Sequence, residues 1–305
     1  MKIIIATEKP FAKAAVDGIR NIIEEAGFEF HLLEKYSDIN TFQNAVADAD
    51  GLIVRSDKVT KDIIDAAPRL KIVVRAGAGY DNLDLAACSG RGIVAMNTPG
   101  QNANAVAELA IGLMLYAARN TFGPGTGSEL KGKKLGIHAY GNVGRLVARL
   151  GKSFGMDVHA FDPFVPHSAI IEDGVQVCAS VEELYATCRY ISLHIPATAQ
   201  TRKSIGRSLL NIMPEGACII NTARKEIINE DDLAAILRER PDMKYMTDIA
   251  PDNHAALQQT AGTRYFATPK KIGAETAEAN INAGLAAARQ TVRFFATGET
   301  TFKLN

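Results

Sequence analysis

The chain has few cysteines, no excess charge and no paired CxxC motif. Its four cysteines lie far apart at positions 88, 178, 188 and 218 of 305. We therefore expect reduced thiols in a cytosolic protein rather than disulfides or a zinc site, and no bound metal. The 34 basic residues balance the 34 acidic residues. No overall field attracts nucleic acid or anionic lipid, so an anionic ligand must be bound by a local cluster of cations.

Long hydrophobic runs are also absent. The apolar stretch near the N-terminus is interrupted at Glu8 and is too short for the apolar region of a signal peptide. The most apolar long segment, Ala105 to Ala118, contains Glu108 and is shorter than the roughly 20 residues needed to cross a bilayer. We therefore expect a soluble protein that binds no membrane.

Short β-branched runs alternate with helical patterns along the chain, which predicts parallel sheets covered by helices. One helix is predicted to begin at Pro10 and end at Gly27. The predicted strands before residue 100 are Ile3–Ala6, Phe28–Leu33, Gly51–Val54, Lys71–Val74 and Ile93–Met96. The glycine-rich residues 120–128 predict a linker. The predicted strands after it are Leu135–His138, Val158–Phe161, Gln176–Cys178, Tyr190–His194, Cys218–Asn221, Lys244–Asp248 and Tyr265–Thr268.

Two helical patterns decide how the predicted domains are divided. Residues 102–119 are apolar on nearly every face, so we expect this helix to be covered all round, within the chain and against a second subunit. Residues 276–296 are followed by Gly298 and by no strand, so we expect this helix to cover the first unit. The sequence predicts an α/β protein with two Rossmann-like domains, each a doubly wound parallel sheet. The first domain is discontinuous and takes residues 1–97 and 281–305, and the second takes residues 98–280.

The turn after the strand Leu135–His138 fits a dinucleotide-binding pattern. Residues 139–144 read AYGNVG, a helical run follows, and the next strand ends at Asp162. Gly141 lets the backbone approach a pyrophosphate, Gly144 lets helix and strand pack closely, and the helix N-terminus offers N–H groups to the anion. A carboxylate at position 162 can accept hydrogen bonds from the adenosine ribose and would repel a 2′-phosphate, which favours NAD over NADP. The alternative is that Asp162 only ends a strand at a turn.

Polar residues follow three further predicted strands of the second domain. Arg224 lies after the strand CIIN, Asp248 closes the strand KYMTD, and Lys270 and Lys271 follow YFATP. Ligands of open α/β sheets bind beyond the carboxyl ends of the strands. We therefore expect these side chains to face one crevice.

Several stretches, taken in order, resemble the signatures of the D-2-hydroxyacid dehydrogenase family. They span nearly the whole chain and read VRSDKVT (54–60), VRAGAGYDNLDL (74–85), MNTPGQNANAVAELAIGLML (96–115), ELKGKKLGI (129–137), NTARKE (221–226) and TPKKIGAET (268–276). The resemblance implies an NAD-dependent enzyme that forms a homodimer through its nucleotide domains and binds NAD and substrate between its two domains. The discontinuous domain would then bind substrate and the other would bind NAD.

The resemblance also implies roles for individual residues. Arg224 matches the arginine that holds the substrate carboxylate and C2 oxygen, and Ala78 and Gly79 match a loop whose N–H groups meet the same carboxylate. The other residues that match substrate-lining positions are Arg55, Ser56, Arg75 and Asn102, with Lys58 as a weaker candidate. The residues that match cofactor contacts are Ala78, Gly141, Asn142, Val143, Gly144, Asp162, His194, Ile195, Pro196, Thr222, Ala223, Arg224, Asp248 and Gly273. The alternative for Arg55 is a plain surface charge.

The sequence departs from the family at the catalytic base. Where the family has a histidine, this chain reads TPKKIGA, so Lys271 takes the histidine's place if the alignment is anchored on IGA, and Lys270 if it is anchored on TP. We favour Lys271. The glutamate that pairs with the family's histidine is also missing, and Asn253, next to Asp252, stands near its position.

The two departures have a common physical reason. A catalytic histidine needs a carboxylate to fix its tautomer, whereas a lysine already has an intrinsic pKa of about 10.4. We therefore expect Lys271 to act without a carboxylate partner, with burial and the charge of Arg224 lowering its pKa towards neutrality.

The resemblance implies oxidation of 3-phosphoglycerate, the first step of phosphorylated serine synthesis, because Arg55, Lys58 and Arg75 favour a phosphorylated acid. Neutral Lys271 would take the proton of the C2 hydroxyl.

A hydroxypyruvate or glyoxylate reductase, or another enzyme of the family, is an alternative. A non-enzymatic NAD-responsive binding protein, in which both lysines are solvated or phosphate-binding charges, is another. His194 and His254 are rival acid-base groups, and no regulatory domain is expected after Gly298.

Overall fold

The computed structural model describes residues 1–305, which form two compact units. The first consists of Met1–Asn102 and Glu275–Asn305, and the second of Ala103–Ala274. The chain is thus divided at residues 102/103 and 274/275, where the sequence analysis placed the limits at 97/98 and 280/281. None of the helices is both long enough and apolar enough to span a membrane.

Twelve strands and twelve α-helices alternate along the chain, with short 3₁₀ turns at Asn120–Phe122, Lys225–Ile227 and Gly262–Arg264. Their order is β1 (Lys2–Thr7), α1 (Lys13–Glu25), β2 (Glu29–Glu34), α2 (Ile39–Val46), β3 (Gly51–Val54), α3 (Lys61–Asp65), β4 (Ile72–Arg75), α4 (Leu85–Gly90), β5 (Val94–Asn97), α5 (Ala103–Ala118), β6 (Lys134–His138), α6 (Asn142–Ser153), β7 (Asp157–Phe161), α7 (His167–Glu172), β8 (Gln176–Val177), α8 (Val181–Thr187), β9 (Tyr190–Leu193), α9 (Arg207–Asn211), β10 (Cys218–Asn221), α10 (Glu230–Glu239), β11 (Lys244–Thr247), α11 (His254–Ala261), β12 (Tyr265–Ala267) and α12 (Ala277–Thr297).

The first unit is a five-stranded sheet in the order β2-β1-β3-β4-β5, with every neighbouring pair parallel. The five strands that the sequence predicted are confirmed. The first helix begins at Lys13 rather than at the predicted Pro10, because Ala12 still has an extended conformation. Strand β3 is buried at all four residues, as is expected for a central parallel strand with helices on both faces.

Helix α12 returns to the first unit, as its sequence predicts. Its N-terminus is capped by the Thr276 side chain, and it ends at Gly298, whose φ of 73° is left-handed. Gly284 faces Ile19 of α1, and a Cβ there would come within 2.8 Å of the isoleucine Cδ1 atom. The small residues of α12 therefore allow close packing against α1, which buries Ile19 completely.

The second unit is a seven-stranded sheet in the order β12-β11-β10-β9-β6-β7-β8, again with every pair parallel. The predicted doubly wound fold is confirmed. The chain builds outward from β6 to β7 and β8, and then returns to add β9 on the other side. The order of the strands reverses between β6 and β9, which is where ligands bind in sheets of this kind.

Helix α5 differs from the prediction that it is covered on every face. Ten of its 16 residues are buried. Asn104, Glu108 and Gly112, spaced four residues apart, form an exposed stripe along one side. The chain by itself therefore leaves one face of this apolar helix open.

Candidate active site

The turn between β6 and α6 has the geometry of a dinucleotide-binding turn. Gly141 is the N-cap of α6, so the N–H groups of the first helical turn are available to an anion. Gly144 lies against the strand, and a Cβ there would come within 2.2 Å of the Ala139 carbonyl oxygen. Ala139 itself has a φ of 80°, in the left-handed region that favours glycine. These residues fit a bound dinucleotide, although Ala139 strains the turn.

Asp162 is buried just beyond the end of β7 and stabilises this turn. Its Oδ2 accepts a 2.7 Å hydrogen bond from the Tyr140 N–H, and its Oδ1 accepts one of 2.8 Å from the Phe164 N–H. The carboxylate therefore holds two neighbouring loops together, which is part of the alternative role that the sequence left open. Each oxygen keeps a further lone pair, so contact with a ribose hydroxyl stays a prediction.

Two histidines lie side by side where β6 and β9 end. The N–H of His194 donates to the His138 carbonyl oxygen at 2.9 Å. Burial lowers the pKa of His194 to about 3, and the nearby His138 and Lys271 act in the same direction. Its Nε2 atom is sealed from solvent without a partner. His194 is therefore neutral near pH 7 and too weak a base to accept a second proton, which argues against it as the acid-base group.

Lys271 lies in a polar cluster formed by the ends of β10, β11 and β12. Its Nζ donates to the Thr222 carbonyl oxygen at 2.8 Å and to Asp248 Oδ1 at 3.0 Å. Asp248 is fully buried, and its Oδ2 accepts the Gly273 N–H at 2.8 Å. The lysine side chain is 32% exposed, so it is held in place yet reachable.

The pKa of Lys271 is lowered from its ordinary value. Burial is the main cause, Asp248 opposes the shift, and the charge of Arg224 reinforces it. The expectation that the lysine lacks a carboxylate partner was wrong. Strands β11 and β12 are neighbours in the sheet, so the carboxylate after one strand reaches the lysine after the other.

The loop that carries Arg224 is shaped by Asn221, the last residue of β10. The Asn221 side chain accepts the Ala223 N–H at 3.0 Å and donates to the Arg224 carbonyl oxygen at 3.0 Å. These bonds close the loop on itself and place Thr222 and Arg224 at the carboxyl end of the sheet. The Thr222 hydroxyl oxygen is buried there without a partner in the chain, so it can bind a polar group of a ligand.

Other candidate groups of the second unit lie outside this cluster. Lys270 is exposed, and only its carbonyl oxygen is bonded, to the Thr268 hydroxyl. The backbone N–H groups of Asp252 and Asn253 donate hydrogen bonds to the Glu230 carboxylate, so the two residues are held by Glu230 and not by Lys271. His254 is paired with the Tyr265 hydroxyl at 2.7 Å. Of the two lysines, the structure places Lys271 beside Asp248.

The candidate substrate residues of the first unit follow β3 and β4, which are neighbours in the sheet. Arg55 is only 16% exposed, rests 5.9 Å from the Phe11 ring and pairs with Glu275 at 3.2 Å. It is therefore not a plain surface charge. The N–H groups of Ala78 and Gly79 donate to no oxygen of the chain, so they can bind an anion. Ser56 and Lys58 are exposed, and Asn102 is half-buried at the end of the unit.

Sequence reasoning did not single out His138. It is the last residue of β6, directly before the dinucleotide turn, and its Nδ1 lies 3.2 Å from the Tyr185 hydroxyl. The available signal was a polar residue at the end of the otherwise apolar strand KLGIH.

Comparisons with known proteins point to one family. The family model described as "D-isomer specific 2-hydroxyacid dehydrogenase, NAD binding domain" matches residues 115–269. D-3-phosphoglycerate dehydrogenase of Methanocaldococcus jannaschii is 36% identical over 263 residues, which are 80% of this chain and 49% of that protein. Hydroxypyruvate reductase of Thermotoga maritima is 35% identical over 275 residues, which are 84% of this chain and 88% of that protein. The chain thus spans about half the length of the first of these relatives.

Solved structures agree with the fold. The crystal structure of an NAD⁺-bound 3-phosphoglycerate dehydrogenase from Entamoeba histolytica is 49% identical, with a TM-score of 0.90, covering 100% of this chain and 98% of that one. D-lactate dehydrogenase from Escherichia coli has a TM-score of 0.82 at 21% identity over the full length of both chains. This second likeness concerns the fold alone.

Proposed function

The chain belongs to the D-isomer specific 2-hydroxyacid dehydrogenase family, and we propose that it oxidises 3-phosphoglycerate to 3-phosphohydroxypyruvate with NAD as the electron acceptor. This would be the first step of phosphorylated serine biosynthesis. The observation that carries the proposal is the position of Lys271 Nζ, which Thr222 and Asp248 hold beyond the carboxyl ends of the strands. In the sequence, Lys271 aligns with the family's catalytic histidine when the alignment is anchored on IGA.

In this proposal Lys271 is the general base. Its lowered pKa raises the fraction of neutral lysine that can take the proton of the C2 hydroxyl. Arg224 holds the substrate carboxylate through its planar fork of donors. The N–H groups of Ala78 and Gly79 are the first unit's candidate donors to an anion. When NAD is bound, its nicotinamide accepts the hydride from C2. Asp248 accepts hydrogen bonds from Lys271 Nζ and from the Gly273 N–H, and so fixes the position of the lysine.

The cofactor would be held by the turn at Gly141–Gly144 and by Asp162. The further residues that we propose as cofactor contacts are His194, Ile195, Pro196, Thr222, Ala223, Arg224, Asp248 and Gly273. Two observations support the fit: the close approach of Gly144 to the strand and the unpartnered hydroxyl of Thr222. The carboxylate of Asp162 favours NAD over NADP because a 2′-phosphate would be repelled.

The preference for a phosphorylated substrate rests on Arg55 and Arg75. Arg55 follows β3, and Arg75 is the last residue of the neighbouring strand β4. Arg55 is held against Phe11 and Glu275 rather than moving freely in solvent. Because the molecule has no net charge, a phosphate group must be attracted by such local cations.

We propose that the chain forms a homodimer in which the second copy covers the exposed stripe of α5, formed by Asn104, Glu108 and Gly112. Next to this helix, Asn120, Thr121 and Phe122 have φ values of 58°, 54° and 55°, and Phe122 is 72% exposed. Three successive left-handed residues are costly unless neighbouring structure holds them. A second copy that packs on α5 and covers Phe122 would supply that support.

The test compares substrates and one matched pair of variants. We expect kcat/KM for NADH formation to be higher with 3-phosphoglycerate than with D-glycerate, D-lactate or D-malate. In Arg55→Gln, kcat/KM should fall more for 3-phosphoglycerate than for D-glycerate. The control Lys61→Gln, which alters an exposed cation of α3, should change both little. Equal activity of the wild type with the unphosphorylated acids would reject the substrate assignment.

Hydroxypyruvate reductase activity is the second candidate, because the Thermotoga maritima relative with that name is covered over 88% of its length. Reduction of hydroxypyruvate and of 3-phosphohydroxypyruvate by NADH, measured in parallel, separates the two. A higher kcat/KM for hydroxypyruvate would favour this second function.

A further inference from the structure

His138 is a buried titratable residue that the proposed reaction does not use. It ends β6 directly before the dinucleotide turn and is 9% exposed. Burial lowers the pKa of its ring to about 4, and the nearby carboxylate of Asp162 only partly opposes this. The ring is therefore neutral near pH 7 and carries one proton, on one of its two nitrogens.

Tyr185 of α8 decides which nitrogen carries that proton. Its side chain is fully buried, and its hydroxyl has one hydrogen-bond partner in the chain, His138 Nδ1 at 3.2 Å. Burial also raises the pKa of the phenol far above its ordinary value, so the hydroxyl keeps its hydrogen. If Nδ1 carried the ring proton, the phenol hydrogen would have no acceptor in the core, which is unfavourable. The hydroxyl therefore donates to a bare Nδ1, and the ring proton lies on Nε2.

The Nε2–H group of His138 has no acceptor in the protein. The only hydrogen bond of the ring is the one at Nδ1, and Nε2 is not among the buried side-chain atoms that lack a partner. It thus reaches solvent at the point where β6, β7 and β9 end. His138 is paired with Phe161 in the register of β6 and β7, so Asp162, the next residue after Phe161, lies one position beyond this pair. His194 follows β9 and is bonded to the His138 carbonyl oxygen.

A donor and an acceptor therefore lie at the ends of the neighbouring strands β6 and β7, next to the dinucleotide turn. Asp162 offers carboxylate oxygens, and His138 offers one N–H fixed in direction by Tyr185. A ribose hydroxyl is both a donor and an acceptor, so one hydroxyl can satisfy both groups. A ligand with only acceptor oxygens, such as a phosphate ester, cannot donate to the carboxylate.

We propose that His138 Nε2–H donates a hydrogen bond to the adenosine half of bound NAD, and that Tyr185 is the positioning residue that fixes the donor tautomer. The inference rests on the proposed dinucleotide site and does not depend on which hydroxy acid is the substrate. It gives the chain a cofactor-binding residue outside the AxGxxG pattern and a reason for a polar residue at the end of an apolar strand.

Two substitutions of the same residue test the donor. His138→Gln keeps an N–H donor at about the distance of Nε2, whereas His138→Asn places its amide near the position of Nδ1. The dissociation constants of NAD and of ADP-ribose are measured by titration calorimetry, which needs no turnover. We expect His138→Asn to bind both ligands roughly three- to tenfold more weakly, the usual effect of one hydrogen bond, and His138→Gln to stay within about twofold of wild type.

The tautomer of His138 can be measured independently of ligand binding. Nitrogen-15 NMR of the ring should show a protonated Nε2 and a bare Nδ1 for His138, with the resonance assigned by its loss in His138→Gln. In Tyr185→Phe the two tautomers should mix. This measurement keeps the proposal testable even where the asparagine variant folds poorly.

The outcomes separate the two proposals. If the wild type binds ADP-ribose and His138→Asn binds it equally well, or if Nδ1 carries the proton, the role of His138 is refuted and the dinucleotide site stands. If NAD binding weakens but ADP-ribose binding does not, the donor does not serve the adenosine half, and the proposal fails. If the wild type binds neither ligand, the dinucleotide site itself is wrong.

Discussion

At the scale of single residues, the pairing of Lys271 with Asp248 combines two opposite effects on one nitrogen. Burial favours the neutral amine, and the carboxylate favours the ammonium. A histidine can be held by a carboxylate and still lose its proton near pH 7, because its intrinsic pKa is close to that value. A lysine starts about four units higher, so it depends on burial and on the charge of Arg224 to become a base.

Replacement of Lys271 by alanine should abolish most of the turnover. A general base contributes roughly a hundred- to ten-thousandfold to the rate, so kcat should fall by a factor in this range while the dissociation constant of NAD changes little. The matched control is Lys270→Ala, which removes the neighbouring exposed lysine and should leave kcat nearly unchanged. If instead Lys270→Ala lost the activity, the base would be assigned to the wrong lysine.

The pH dependence of the reaction should reveal the effect of Asp248. The base is active only when neutral, so kcat/KM rises with pH through the pKa of Lys271, which lies below its ordinary value. Asp248 raises that pKa against the effect of burial. In Asp248→Asn the acidic limb of the pH profile should therefore move to lower pH, even if the maximal rate falls. A shift of the limb to higher pH would contradict the proposed pairing.

At the scale of elements, the β6–α6 turn contains one residue that suits its conformation and one that does not. Gly144 permits contact of the helix with the Ala139 carbonyl, whereas Ala139 adopts a φ that glycine would adopt more easily. Sequence reasoning located both positions because the fingerprint has a fixed spacing after a strand. It also placed all twelve strands, since the central parallel strands are continuous apolar runs buried on both faces.

Adding a methyl group at position 144 and removing one at position 139 should change the stability of the protein in opposite directions. Gly144→Ala forces a Cβ to within 2.2 Å of the Ala139 carbonyl oxygen, so it should destabilise the protein by about 1 to 3 kcal/mol and weaken NAD binding. Ala139→Gly relieves about 1 to 2 kcal/mol of backbone strain and loses about 0.4 to 1 kcal/mol through the more flexible unfolded chain, so it should stabilise the protein slightly. Urea unfolding without NAD measures both, and a change of the same sign in the two variants would contradict the strain at Ala139.

At the scale of the whole molecule, the open side of α5 is the feature that the single chain leaves unexplained. The helix is apolar on its other faces, and its exposed stripe consists of Asn104, Glu108 and Gly112. The sequence pattern predicts that this helix is covered on every face, but a pattern cannot tell a neighbouring helix of the same chain from a second subunit. That a second copy covers the open stripe stays a prediction.

A charged side chain on this stripe should separate the proposed dimer. Gly112→Arg places a long cation where nothing lies within 4 Å in the single chain, so it should reduce the mass measured by light scattering from that of a dimer to that of a monomer. Gln258→Arg, on the exposed side of α11, is the control and should leave the mass unchanged. A wild-type protein that is monomeric at micromolar concentration would rule out the dimer.

The sequence by itself determined the features that depend on local order along the chain. These are the alternation of strands and helices, the dinucleotide turn with its acid at Asp162, and the polar residues that follow the strand ends. Only the tertiary structure decided which of these residues meet. Lys271 and Asp248 are 23 positions apart and His138 and Tyr185 are 47 apart, and the strand order of the sheet and the packing of its helices, rather than any spacing, bring each pair into hydrogen-bonding distance.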